Sequence, residues 1–224
     1  MNFSTMSISE NLKKIKGGIP EEVTLVAVSK TKPIETVLEA YEAGQRIFGE
    51  NKIQEMTHKW EVLPKDIEWH MIGHVQRNKV KYMAEFVSLV HGVDSFRLLT
   101  EINKQAKKHN RTIRCLLQMH IAEESTKFGL DEKELAEILD SEAFQELRHV
   151  EVVGLMGMAT FTEDAEQVRK EFAHLKNVFD QVQLKLPKIS ELSMGMSGDY
   201  TIAIEEGSTM VRIGSSIFGA RNYH

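Results

Sequence analysis

The sequence predicts an α/β protein, a single-domain (β/α)8 barrel of the TIM type with an extra helix at its N-terminus. Three observations carry that expectation. Eight short apolar runs alternate with longer amphipathic stretches from one end of the chain to the other. Several runs are rich in Val and Ile on both faces, as a parallel sheet covered by helices requires. The 224 residues give about 28 for each of eight β–α units, near the lower bound for such a barrel. An open doubly wound sheet shares the alternation, but the Gly-rich dinucleotide turn expected after its first strand is absent.

The first element is helical: residues 7–16 alternate in helical period and stop at Gly17-Gly18-Ile19-Pro20. Strands are expected at 23–28, 46–48, 68–73, 86–90, 113–121, 150–158, 189–194 and 209–213. A helix at 35–43 turns Val37, Leu38 and Tyr41 inward and ends on Gly44 as its cap. Another at 95–109 opens on Ser95 and carries Leu98, Leu99, Ile102 and Ala106. A third at 131–139 opens on Asp131, and the longest, 162–182, stripes Val168, Phe172, Leu175 and Phe179. Pro20, Pro33, Pro64 and Pro187 all fall at or beside element ends. No Ser-, Gly- or Pro-rich linker divides the chain, so one domain spanning 1–224 is expected.

Composition narrows the function classes. Lys and Arg number 28 against 33 acidic residues, and the net charge of −5 weighs against a chain-wide nucleic-acid surface. The hydrophobic share of 42% weighs against disorder. One cysteine, Cys115, excludes an intrachain disulfide and a Cys-rich zinc site. No run of about 18 apolar residues and no signal peptide is present, so a cytoplasmic protein without membrane contact is expected. Nothing demands a dimer, and a monomer is the expected state.

In a barrel the chemistry gathers where strands end. Lys30 closes the first apolar run on the face of Val26 and Val28. Burial there lowers an amine's pKa and makes it a nucleophile for a Schiff base; the plainer alternative is a lysine that has left the strand for solvent. The stretches 193–199 (SMGMSGD) and 210–215 (MVRIGS) end the last two strands in Gly and Ser, with backbone N–H groups suited to a phosphate. Tight turns that need Gly and a cap are the alternative. Arg212 lies in an otherwise apolar strand and must find an acceptor, such as a buried Glu50 or Glu205 or a ligand anion. Lys30 and Arg212 occupy the first and last strands, neighbours in a closed barrel, and two inward cations invite an anion. His70 and His74 lie about 13 Å apart along a strand and cannot share a metal ion.

The motifs 26–33 (VAVSKTKP), 48–51 (FGEN), 69–76 (WHMIGHVQ), Lys127-Phe128-Gly129, 154–156 (GLM), 193–199 and 212–219 (RIGSSIFG) resemble, in order, the pyridoxal phosphate homeostasis protein family (YggS or PROSC type). The resemblance runs from about residue 8 to 223. It implies a barrel similar to the N-terminal domain of alanine racemase, the fold type III of pyridoxal 5′-phosphate proteins. In that likeness Lys30 holds the cofactor as an internal aldimine and Arg212 faces the pyridine nitrogen. Ser197, Gly214 and Ser215 match the phosphate turns, and Asn51 and His70 fall in motifs lining the same mouth. Met71 and Val75 stand where Phe and Leu are commoner in the family.

The resemblance implies a cofactor-binding protein that buffers or delivers pyridoxal 5′-phosphate, with cofactor-dependent apo-enzymes as partners. A permanently charged arginine at the pyridine nitrogen blunts the electron sink that carbanion chemistry needs. Racemases of this fold also carry a second, β-rich domain, for which this sequence leaves no segment, so no catalytic residue is expected. A pyridoxal-phosphate-dependent amino acid racemase built on the barrel alone is the alternative. A phosphate-ligand barrel without a Schiff base is the third reading.

Overall fold

The computed structural model describes residues 6–123 and 128–219. Its centre is a closed barrel of eight parallel strands in sequential order. They are β1 (Thr24–Val28), β2 (Ile47–Glu50), β3 (Glu68–Met71), β4 (Leu89–Val93), β5 (Ile113–Gln118), β6 (Val150–Met156), β7 (Glu191–Met196) and β8 (Met210–Ile213). β1 closes on β8, with Thr24 opposite Met210 and Ala27 opposite Ile213. Every run read as a strand contributes one, and closure rules out the open sheet.

The helices are α1 (Ile8–Gly17), α2 (Ile34–Glu42), α3 (Ile53–Val62), α4 (Phe96–Lys108), α5 (Glu132–Asp140), α6 (Glu142–Gln145), α7 (Ala165–Lys185), α8 (Tyr200–Glu205) and α9 (Ser215–Phe218). A 3-10 helix, Arg77–Tyr82, stands in the third unit. Their starts follow local chemistry. Ser7 and Glu10 form a capping box on α1, as do Asp131 and Glu134 on α5. Ser95 caps α4 through the Leu98 N–H. Asp164 caps α7, whose first residue lies three positions after the expected start at 162. Gly44 follows α2 at φ +94° and donates its N–H to the Tyr41 carbonyl at 2.9 Å.

Two departures from the sequence reading shape the site. Helix α3 goes unread because its buried face is Ile53, Met56 and Lys59, and a lysine at the third position breaks the apolar period. Strand β4 begins three residues later than expected. Phe86 stays outside it, stacked on Trp60 with ring centroids 4.5 Å apart, and His91 takes a strand position.

The barrel is filled rather than hollow. Val26, Leu89, Leu116, Val153, Met156 and Met210 form a separate interior cluster, while Phe48, Trp69, Leu98 and Phe172 belong to the larger core between strands and helices. Among the described residues no helix is long and apolar enough to cross a membrane. The register of β5 on β6 slips between Cys115 and Leu116, and Gly154 follows that irregularity. A Cβ at Gly154 would lie 1.6 Å from the Glu191 carbonyl oxygen on β7, which only a backbone shift relieves. Gly154→Ala is expected to cost about 3 kcal/mol or more, measured as the urea-unfolding free energy followed by circular dichroism. An unchanged midpoint would contradict this register.

Candidate functional site

The C-terminal rim of the barrel collects five of the seven residues singled out in the sequence. Half-buried Lys30 lies two positions past β1 and Asn51 one past β2. Ser197 follows β7, while Gly214 and Ser215 follow β8. Arg212 in β8 and His70 in β3 sit deeper, only 3% and 2% exposed. Closure is what joins these sets: Val26 of β1 registers with Arg212 of β8, so the strand leading to Lys30 runs beside the arginine's strand.

Arg212 satisfies itself differently from the carboxylate pairing that its charge suggests. Its Nη1 donates to the Ser193 carbonyl at 3.0 Å and to the Ser193 hydroxyl, and its Nη2 donates to the Gly157 carbonyl at 3.1 Å. Glu50 is taken by Lys59 at 2.6 Å, and Glu205 by Arg169 at 2.6 Å. Burial pulls the guanidinium down to about 10, against the opposing charge of Asp199, so it remains a cation at neutral pH. Three of its five N–H groups are spent on neutral oxygens. That leaves Nε and one hydrogen of Nη2 for a ligand.

Behind Arg212 runs a buried polar chain across the barrel interior. The Ser193 Oγ lies 2.9 Å from His91 Nδ1, and His91 Nε2 lies 3.0 Å from His70 Nδ1. Burial is the main force holding both imidazoles neutral; His70 is lowered to about 3 and His91 is also lowered well below the usual range. Arg212, which can only donate, sets the direction. Ser193 accepts from Arg212, so its own O–H donates to His91 Nδ1, and His91 Nε2–H donates to His70. His70 thus lies below the rim in contact with His91. His91 is the residue that sequence reasoning misses, because it lies past the expected end of its strand; Ser193 stands inside the expected strand and a singled-out stretch, but not as the partner of Arg212.

The glycine–serine turns also resolve into specific bonds. The Gly214 N–H donates to Ser197 Oγ at 3.2 Å, tying the ends of β7 and β8 together. The Ser197 hydroxyl keeps its own hydrogen as a donor, beside the first-turn N–H groups of Ser215 and Ser216 at the head of α9. A Cβ on Gly214 would press to 3.2 Å on both Cβ and the carbonyl oxygen of Val28, one strand away. His74 diverges from His70: it bonds Asp94 at 3.2 Å and stacks on Phe128. Among the described residues no group of three or more His, Cys, Asp or Glu gathers for a metal ion. Lys127 lies outside the described residues.

The alanine racemase N-terminal domain family matches residues 4–222. A relative from Vibrio alginolyticus named pyridoxal phosphate homeostasis protein is 43% identical over 212 residues, covering 92% of this chain and 90% of its own. The protein of the same name from Aquifex aeolicus is 42% identical over 201 residues, covering 89% and 87%. Among solved structures, PipY of Synechococcus elongatus with PLP bound superposes with a TM-score of 0.86 at 35% identity, over 95% of this chain and 100% of that one. An alanine racemase from Clostridium difficile reaches a TM-score of 0.78 at 16% identity, over 97% of this chain and 56% of its own.

The neutral histidines set a pH dependence. The folded pKa of His70 is near 3, below its ordinary 6.5, so its contribution to stability is full above pH 6.5 and is lost as pH falls toward 3. His91 acts in the same direction. Burial raises the Glu50 carboxyl from 4.5 to about 7, against the pull of Lys59 and Ser29. Its contribution is full below pH 4.5 and is lost as pH rises through 7. Between pH 6.5 and 4.5 the two histidines together outweigh Glu50, so stability is expected to fall as the pH falls. His91→Gln is expected to flatten that slope, read from urea unfolding at pH 6.5, 5.5 and 4.5. A slope as steep as that of the unsubstituted protein would rule out the neutral pair.

Proposed function

Because the chain belongs to the pyridoxal phosphate homeostasis protein family, built on the alanine racemase N-terminal domain, we propose that it binds pyridoxal 5′-phosphate reversibly at Lys30. Its function is the homeostasis of that cofactor, by buffering the free aldehyde or delivering it to enzymes that need it. The observation that carries the reading is the gathering of three features at one end of the barrel. A lysine follows β1, a buried arginine with unspent N–H groups lies in β8, and a serine–glycine turn joins β7 to β8.

The donor set fits each part of the cofactor. The Lys30 amine would hold the cofactor through its aldehyde, by a linkage that water can reverse. Arg212 would meet the ring nitrogen as a donor that keeps its own proton, because the guanidinium stays charged at neutral pH. Ser193, His91 and His70 hold that arginine in place. Ser197 and the head of α9 would receive the phosphate. When bound, the cofactor supplies an electrophilic aldehyde and an electron sink. An arginine at its ring nitrogen favours holding it over using that sink.

This arrangement supports a carrier more than a racemase. The relatives bear the name of homeostasis proteins, and at 16% identity the racemase likeness speaks for the barrel alone. Cytoplasmic residence and action on apo-enzymes belong to the same proposal.

Borohydride reduction followed by peptide mapping is expected to find the cofactor on Lys30. Lys30→Ala is expected to remove both the adduct and the visible absorbance of the loaded protein. Ser197→Ala is expected to weaken cofactor binding roughly tenfold, the worth of one hydrogen bond near a charged group. An adduct on another lysine, or none, would overturn the attachment. Exchange of an amino acid α-proton in deuterated water, abolished by Lys30→Ala, would favour the racemase.

A further inference from the structure

The residues on either side of Lys30 are held by a buried ionic cluster on the outer face of the barrel, which the cofactor reading leaves unused. The Lys59 ammonium, 3% exposed, spends all three protons: on Glu50 Oε1 at 2.6 Å, on Glu55 Oε1 at 2.8 Å and on the Ser29 carbonyl at 2.7 Å. Ser29 also donates its hydroxyl to Glu50 Oε1 at 2.6 Å. Beyond Lys30, the Thr31 N–H donates to Glu55 Oε1 at 2.6 Å. Glu50 is fully buried, and its Oε2 has no hydrogen-bond partner. A buried carboxylate left half satisfied is costly to keep unless the geometry it enforces is needed.

The geometry enforced is unusual. Thr31 sits at φ +62°, in the left-handed region that a β-branched side chain avoids, and Thr31 and Asn110 are the described non-glycine residues with positive φ. The Glu55 carboxylate bonds the very amide whose orientation that conformation sets. Lys59 carries the same carboxylate and also grips the carbonyl two residues earlier. One rigid hub therefore clamps the backbone immediately before and immediately after Lys30.

We propose that Glu55 and Lys59 are positioning residues for Lys30: with Glu50 they clamp Ser29 and Thr31, holding Thr31 left-handed and so setting how the lysine leaves β1. The assignment rests on Lys30 being the attachment point. It explains why α3 buries a lysine at a position where its neighbours Ile53 and Met56 are apolar.

The test uses the full chain with Glu55→Ala, Glu55→Asp and the double variant Glu55→Ala/Thr31→Gly. In cofactor-free protein, Glu55→Ala is expected to speed amide hydrogen exchange at Thr31 by tenfold or more, read by NMR. On adding pyridoxal 5′-phosphate, the same variant is expected to show about tenfold less borohydride-trapped adduct at limiting cofactor. Glycine adopts positive φ without cost, so the double variant is expected to regain most of that loss. Glu55→Asp keeps the charge beside Lys59 but shortens the reach to Thr31. It is expected to shift both readouts in the same direction, and it serves if Glu55→Ala does not fold. Unchanged exchange and trapping would overturn the clamp. So would a loss of trapping that Thr31→Gly leaves unrepaired in a folded double variant, since Glu55 would then be only a support for α3. Absence of an adduct at Lys30 in the unsubstituted protein would sink the attachment itself, and the exchange at Thr31 judges the clamp separately.

Discussion

Everything at the rim depends on one pairing, the closure of β1 on β8. The two strands are separated by almost the whole length of the chain, yet Thr24 to Ala27 register residue by residue with Met210 to Ile213. Without that ladder Lys30 and Arg212 are two unrelated cations at opposite ends of a sequence. With it, they flank one mouth. A closed parallel sheet has no free edge, so its backbone groups are satisfied internally and only side chains remain to shape a site. The extra helix α1 adds to the seam, since Asn11 donates to the Ile217 carbonyl of α9 across it.

The interior of so small a barrel has room for few side chains, and their order along the axis sorts the chemistry. Near the middle an apolar plug including Val26, Leu116 and Met210 fills the space. Beside it lies a polar layer of His70, His91, Ser193 and Arg212, each nearly or fully buried. Such a layer is tolerable only when complete, because a single unpaired member in a low dielectric would cost more than the layer contributes. Neutral His91 joins it with one acceptor toward Ser193 and one donor toward His70. The neutral imidazoles also add no second charge beside Arg212, whose field lowers the His91 pKa further. The arginine is therefore fixed in orientation from behind while keeping N–H groups for whatever enters from the rim.

A second polar set lies on the opposite face of the same strands. Phe48 and Ala27 face the helices, and so do Ser29 and Glu50 near the strand ends, where Lys59 of α3 meets them. Strand alternation makes this possible. Successive residues of β1 and its continuation face the helices and the barrel in turn, so one short segment serves an outer clamp and an inner site together. Breaking a buried pair such as Glu50–Lys59 would strand a charge, which makes the clamp stiff as well as strong.

Much of this was legible in residues alone. Short apolar runs, several of them apolar on both faces, located all eight strands, because burial leaves a mark that needs no knowledge of partners. Capping residues placed the starts of α4 and α5 for the same local reason. Lys30 and Arg212 stood out because a charge at the end of, or inside, an apolar run demands an explanation. The partners of those charges were not legible. Lys59 hid α3 by interrupting its period, and His91 fell beyond the expected end of β4. Ser193, rather than a glutamate, took Arg212, because the choice among distant acceptors is made by strand register. Sequence determined which residues are buried and which are out of place, since periodicity records burial. Only the closed barrel decided who satisfies whom, since hydrogen-bond partners on strands three, four, seven and eight are set by geometry that no local window contains.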